Sequence, residues 1–327
     1  RAALDKNAAP TTEAFMNAAS PGLITAFQVN RFYPSHDAYL AALVDAMREE
    51  YETIVNAGFY LQLDCPDLAM SRHTGYQDAS DEDFLKIAAA NVEALNAATA
   101  NIPSEKMRMH VCWGNYEGPH DHDIALEKVI DIVVKARPAT VLFEAANPRH
   151  EHEWKVWKDA KLPDWKILAP GMIDTCSNYV EHPELIAQRI ERFAGIVGAD
   201  RVVASTDCGF GTFAGYGKID PIVTWRKLRN LREGADIAGA SGVAYTLGDA
   251  DVGAQMGGGV DDDKASFKLR TLSSARERDK ALDLYIKILQ KPDFPEDVLA
   301  REKARVIAGL KEAATQPETI ADKAYTK

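Results

Sequence analysis

Across the first 240 residues, short apolar runs alternate with longer amphipathic stretches, and nearly every run ends on a chemically competent side chain. The runs lie at 23–29 (LITAFQV), 59–64 (FYLQLD), 107–112 (MRMHVC), 140–144 (TVLFE), 167–174 (ILAPGMID) and 201–208 (RVVASTDC). Between them, helical patterns cover 39–56, 81–98, 123–136 and 183–197. Strand alternating with helix, with apolar strands, predicts an α/β fold whose parallel sheet is covered by helices. A doubly wound sheet and a closed barrel both satisfy that pattern. The strand-end residues Asp64, Cys112, Glu144, Asp174 and Cys208 separate the two. Side chains from many consecutive strands converge on one centre at the C-terminal mouth of a (β/α)8 TIM barrel, whereas an open sheet spreads them along a line. The barrel is therefore expected. Only six units are visible, the last closing with a helix at 222–240, so the barrel is expected to lack its first two strands, which would precede Arg1.

Composition excludes several classes. With 46% hydrophobic and 27% charged residues in a chain of 327, a soluble globular core is expected. A net charge of −11 argues against a nucleic-acid partner, because phosphate binding needs a basic surface. No apolar run approaches the roughly 20 residues of a membrane span, and no signal-peptide pattern opens the chain. Four cysteines (Cys65, Cys112, Cys176, Cys208) are too sparse for a disulfide scaffold and read as reduced thiols in a cytoplasmic protein. The chain opens on Arg1 rather than Met and stops at Lys327 within a helical pattern, so both ends read as truncated. A composition shift after Gly239 places a domain boundary near 240, with residues 241–327 forming a small α+β segment. That segment holds the aperiodic GAQMGGG, a strand-like run at 265–272, and helical patterns at 276–290 and 298–314.

The chemistry centres on His110-Val111-Cys112. Residues i and i+2 of a strand share a face, so both side chains can reach one ion. Imidazole and thiolate are preferred zinc ligands, and tetrahedral geometry asks for two more groups. Cys208 and Glu144, each at a strand end, can supply them. The competing reading makes the thiols core filler, since free cysteine is among the most buried residue types.

Four segments in order, HVCWGNYEGPH, VLFEAANPRHEHEW, APGMIDTCSNYVEHPELIAQRI and VVASTDCGFGTF, resemble the catalytic domain of cobalamin-independent methionine synthase and its shorter relatives. The resemblance covers about residues 10–240. It implies a zinc-dependent methyl- or alkyltransferase barrel whose metal ligands are His110, Cys112, Glu144 and Cys208, with Asp64 holding the amino group of an amino-acid substrate. The implied partners are a small-molecule thiol and an alkyl donor; a homo-oligomer stays open. Beside two thiolates and a zinc ion, a substrate thiol with a free pKa near 8.5 ionises at neutral pH and attacks an electrophilic carbon. Glu144 is the hardest ligand of the set and the one expected to yield its place. In the larger synthases a His follows the Asp of the next-to-last strand motif and suits protonation of a folate amine. Here Asp174-Thr175-Cys176 stands instead, leaving Asp174 as the candidate acid or substrate contact. An epoxide-opening thiol transferase, similar to epoxyalkane:coenzyme M transferases, needs only to protonate an alkoxide and is the alternative. Asn115, just beyond Cys112, is a further candidate substrate contact.

From about 251 the text resembles part of a pitrilysin/insulinase-type peptidase domain, on the KPDFPED turn and the REKAR helix. That family's H-x-x-E-H motif is missing, so Glu302 has no histidine pair to complete and the tail is expected to be non-catalytic. The two resemblances together suggest a chimeric, non-catalytic fragment or a two-domain fusion. Three other features read as bland. His150-Glu151-His152-Glu153 lacks H-E-x-x-H spacing and reads as a polar loop, GFGTFAGYG as a loop at the barrel mouth, and Asp261–Asp263 as a solvated turn. Trp154, Trp157 and Trp165 are expected to pack rather than to stack a cofactor.

Overall fold

The computed structural model describes residues 14–211 and 219–240, together with the backbone of three strands at 246–247, 255–261 and 264–270. The chain divides into two compact units, after Ala250. In the first, seven strands lie side by side in sequence order, every neighbouring pair parallel. They are β1 (Phe15–Ala19), β2 (Tyr60–Asp64), β3 (Met107–Val111), β4 (Thr140–Phe143), β5 (Ile167–Ile173), β6 (Val203–Thr206) and β7 (Thr246–Leu247). The helices between them are α1 (Pro21–Phe27), α2 (His36–Asn56), α3 (Met70–Thr74), α4 (Asp81–Ala98), α5 (Leu126–Val133), α6 (Pro183–Val197) and α7 (Pro221–Ala240). Parallel strands in unbroken order with helical crossovers form the α/β arrangement that alternation predicts. Among the described residues β1 and β7 do not pair, so what is described is a seven-strand arc. β7 still pairs with β6, which is why the first unit runs past the composition shift at 240.

Local chemistry accounts for most of the boundaries. Ser80 caps α4, its Oγ accepting from the Asp83 amide at 3.1 Å, and three acids fill the first turn where the helix dipole favours them. α6 begins on Pro183 and stops at Gly198, whose φ of 91° suits a residue without a side chain. The run at 23–29 departs from expectation. It is helix α1 over Pro21–Phe27, not a strand, because Ser20 caps it, accepting from the Leu23 amide at 2.9 Å, and Pro21 starts the first turn. The first strand is instead FMNAA, which pairs with β2 in register Phe15↔Tyr60 to Ala19↔Asp64.

Packing of the strands sets which face carries chemistry. In β3, Met107, Met109 and Val111 are buried in the hydrophobic core with Leu61, Leu63, Val141, Phe143 and Leu168. Arg108 and His110 therefore face the other way, and Cys112 continues their row. Burying the Met, Leu and Val face contributes roughly 1.5–3 kcal/mol per large side chain, so a one-residue slip that moved His110 into this core is strongly disfavoured.

In the second unit, β8 (Gln255–Asp261) and β9 (Lys264–Arg270) form an antiparallel hairpin. The GAQMGGG segment thus contributes to a strand. Asp261 pairs with Lys264, while Asp262 and Asp263 lie outside the described residues. So do the expected helices at 276–290 and 298–314, Glu302 with them, and most of GFGTFAGYG. Among the described residues, no helix is long and apolar enough to cross a membrane.

Candidate metal centre

His110 at the end of β3, Cys112 just beyond it and Cys208 just beyond β6 converge, their ligand atoms all within 4.8 Å of one another. Both cysteines are only 7% exposed. Around a tetrahedral zinc ion such atoms would sit about 3.5–3.8 Å apart, so contraction by about an ångström completes the arrangement. The donor set fits the metal: borderline-soft zinc, two thiols and an imidazole in a buried place. Contact with Cys112, then burial, pushes the Cys208 thiol well above its usual range, so ionising both thiols calls for a nearby cation.

His110 is held at both nitrogens. Nδ1 lies 3.0 Å from Asp64 Oδ1 and Nε2 lies 3.1 Å from the Asp207 carbonyl oxygen. Burial works against its charge, but Cys112 and the Asp64 hydrogen bond outweigh it and lift the imidazole to about 9. Asp64 therefore meets His110 directly, in the way carboxylates orient metal-binding histidines.

Glu144 stands beside the cluster, with Oε1 4.0 Å from Cys208 Sγ. Its carboxylate is well occupied. Oε1 accepts from the Trp113 amide at 2.7 Å; Oε2 accepts from Asn147 Nδ2 at 2.6 Å and from Arg149 Nη2 at 2.9 Å. Glu144 is thus brought next to the three converging side chains but not among them, anchored by a cation and two amides.

Asp207 is a residue that sequence reasoning passed over in favour of its neighbour Cys208. Its Oδ1 accepts from the amides of Ala145 and Ala146 at 2.8 and 2.9 Å. Its Oδ2 accepts from the Asn147 amide and Nδ2 at 2.9 and 3.0 Å. Burial and the charge of Glu144 push this carboxyl up, and the four N–H donors pull it back. The connection fixes the turn that carries Glu144 against the strand end that carries Cys208. It also demands room: a Cβ on Gly171 would lie 1.9 Å from Asp207 Oδ1, so β5 must have glycine there, where its register with β6 shifts.

A cavity of about 190 Å³ opens beside the cluster. Glu144, Cys208, Asp207, Arg149, Asn115 and Asp174 contribute to its wall, whereas Asp64, His110 and Cys112 do not. Asp174 is 8% exposed and its Oδ1 accepts from the Cys176 amide at 2.9 Å. Asn115 accepts from Thr175 Oγ1 at 2.8 Å and Cys176 Sγ at 3.0 Å, and donates to the Gly209 carbonyl at 2.6 Å. Asn115 therefore ties three strand-end loops together, and burial pushes the Cys176 thiol beside it up to about 12. The HEHE segment is more structural than a solvated loop. His150 is 4% exposed and stacks on Trp113 at 4.2 Å, and Glu153 accepts from the Leu126 amide at the start of α5 at 2.7 Å. Trp157 packs on Phe143 at 4.5 Å, Trp154 lies under Lys158 and Arg192, and Trp165 is 52% exposed beside Lys166.

No protein-family model matches the chain. Among curated proteins it is 29% identical over 174 residues to a 2-hydroxypropyl-CoM lyase of Xanthobacter autotrophicus, covering 46% of this chain and 45% of that protein. It is 27% identical over 218 residues to a methionine synthase of Thermococcus kodakarensis, covering 66% and 55%. Among solved structures it superposes on a B12-independent methionine synthase from a Shewanella species, in complex with selenomethionine, with a TM-score of 0.54 and 18% identity over 70% of this chain and 64% of that one. The chain spans about half the length of the curated relatives it matches. In sequence it is similar to enzymes named methionine synthase and 2-hydroxypropyl-CoM lyase, and in fold to a B12-independent methionine synthase.

Proposed function

We propose that the first unit is a zinc-dependent enzyme that transfers a methyl or alkyl group to the sulfur of a small-molecule thiol. The observation that carries this reading is the convergence of His110, Cys112 and Cys208 within 4.8 Å, with Glu144 at hand, beside a cavity whose wall Cys208 and Glu144 share. Zinc bound there would supply the Lewis acidity that makes a substrate thiol a thiolate at neutral pH. His110, Cys112 and Cys208 would hold it, with Glu144 as the fourth, displaceable ligand. Asp64 keeps His110 oriented through Nδ1. Asn115 and Asp174 line the space where substrate would lie. In the transfer a C–S bond forms as the donor's C–N or C–O bond breaks, and the proton that the thiol gives up is relayed through Asp174 to the departing amine or the opened alkoxide. Four free cysteines suit a reducing cytoplasm.

Two donors remain in view, a methylated amine and an epoxide. The Asp174-Thr175-Cys176 segment and the relative named 2-hydroxypropyl-CoM lyase favour testing the epoxide. The experiment is zinc stoichiometry on purified protein and on Cys208→Ser, followed by thiol consumption with homocysteine or coenzyme M against each donor. Near one strand-end zinc per chain, lost in the variant, with turnover of one thiol–donor pair is the expected outcome. Equal zinc in both proteins, or none, overturns the zinc-centred reading.

A further inference from the structure

A second group of metal-competent side chains lies off the strand ends. His73 sits on the short helix α3, and Asp121 and His122 lie in the segment between β3 and α5. Each offers a ligand atom within 4.8 Å of the other two. His73 is 7% exposed and its Nδ1 has no hydrogen-bond partner, while its Nε2 is engaged by the Tyr116 hydroxyl at 2.5 Å. A buried imidazole nitrogen without a partner loses its solvation with nothing in return, unless something polar meets it there. With Nε2 engaged, Nδ1 is the nitrogen left to an ion. On the other side His122 Nδ1 is 2.9 Å from Asp121 Oδ1, which leaves its Nε2 and the second Asp121 oxygen for coordination. The His122 hydrogen bond holds the Asp121 carboxyl below its usual range, so it carries charge at neutral pH.

We propose that His73, Asp121 and His122 form a second divalent transition-metal site, of two imidazoles and one carboxylate, distinct from the strand-end thiol cluster. Two nitrogens and one oxygen with positions left for water suit Zn²⁺, Co²⁺ or Ni²⁺ rather than Mg²⁺ or Ca²⁺, which prefer oxygen throughout. Such an ion joins α3 to the segment that walls the cavity. Met70 at the start of α3 donates its amide to the Cys112 carbonyl at 3.0 Å, and Tyr116, bonded to His73, lines the cavity itself. Occupancy would therefore pin the cavity wall to the strand end that carries Cys112.

The test uses tag-free full chain stripped of metal, in the wild-type form and as Cys112→Ser/Cys208→Ser, with Co²⁺ and Zn²⁺ as probes in equilibrium dialysis. The double variant is expected to retain one equivalent that excess Mg²⁺ does not displace. Adding His73→Ala, Asp121→Asn or His122→Ala is expected to weaken that equivalent at least tenfold. Asp121 and His122 are at the surface, so their replacement leaves the fold intact. On the wild-type background, His122→Ala should lower total Co²⁺ by one equivalent while the thiolate-to-cobalt absorption persists. No metal on the double variant, or binding indifferent to His122→Ala and Asp121→Asn in either background, overturns the site. Failure of the thiol cluster reads differently: wild type and double variant would then bind the same number of ions.

Discussion

The strand-end cluster and the loop cluster use similar side chains but are held in different ways. His110, Cys112 and Cys208 are at or next to strands whose register the core fixes, and Asp207 locks the adjoining turn with four hydrogen bonds. His73, Asp121 and His122 sit on one short helix and an irregular segment, and two of the three reach solvent. Sheet geometry gives the first group precision at the cost of burying charge that only a cation can balance. The second trades precision for access. Selectivity for a soft ion and tight retention should therefore belong to the strand ends, and fast exchange of a borderline ion to the loop.

The largest expected effect breaks the first group alone. Asp207→Ala leaves three buried amides and the Asn147 side chain without their acceptor, a loss on the order of 3–5 kcal/mol. Chemical denaturation should show it as a lower midpoint at an unchanged slope. Gly171→Ala should approach the same size, because its Cβ collides with Asp207 Oδ1 and backbone together. If either variant is as stable as wild type, the turn at 145–147 is held by something other than Asp207.

A smaller effect sharpens the contrast without unfolding anything. Asp64→Ala removes the group that orients His110 through Nδ1 while leaving both thiols in place. Zinc affinity at the strand ends is expected to fall about 10–100-fold, and binding at the loop cluster should not change. Chelator competition against a thiol-sensitive cobalt spectrum separates the two populations. A uniform fall at both would mean that Asp64 acts through general stability and not through His110.

Much of this arrangement is legible in the sequence, and the misses have physical reasons. The patterns at 81–98 and 183–197 coincide with α4 and α6 because Ser80 and Pro183 are local start signals and the apolar spacing is helical. The same signals at Ser20-Pro21 identify α1, but LITAFQV has only Thr25 and Gln28 as polar positions, too few to reveal its period, and a short run of that kind is ambiguous. The convergence of Cys208 with His110-Val-Cys112 is readable because strand ends share one side of a parallel sheet. Asp207 is not, since its partners lie about sixty residues away and only the folded turn presents three amides to one carboxylate. The burial of His150 and Glu153 is hidden in the same way, because a run of alternating His and Glu looks solvated until Asp123 and the start of α5 are packed against it.

That last network links the two clusters and gives the smallest effect. Arg149 donates to Glu144 beside the thiols and to Asp123, two residues from Asp121. His150 Nδ1 meets Glu153 at 2.8 Å and its Nε2 meets Asp123 at 3.4 Å. Burial disfavours its charge, but Asp123 and Glu153 outweigh that and raise the imidazole from 6.5 to about 9. A histidine whose folded value lies above its unfolded value binds more protons folded than unfolded between the two, so its stabilisation is complete below pH 6.5 and is lost as pH rises to about 9. The shift sets a ceiling of about 3 kcal/mol; relaxation and partial compensation by Arg149 bring the expected loss nearer ~1 kcal/mol. His150→Asn should remove its share of the wild-type decline in stability between pH 6.5 and 9, leaving the share that His110 contributes over the same range, measured by urea denaturation in metal-free buffer. A wild-type slope undiminished by the substitution would assign the whole titration to other groups, His110 among them, and leave the bridge between the clusters without its pH-sensitive member.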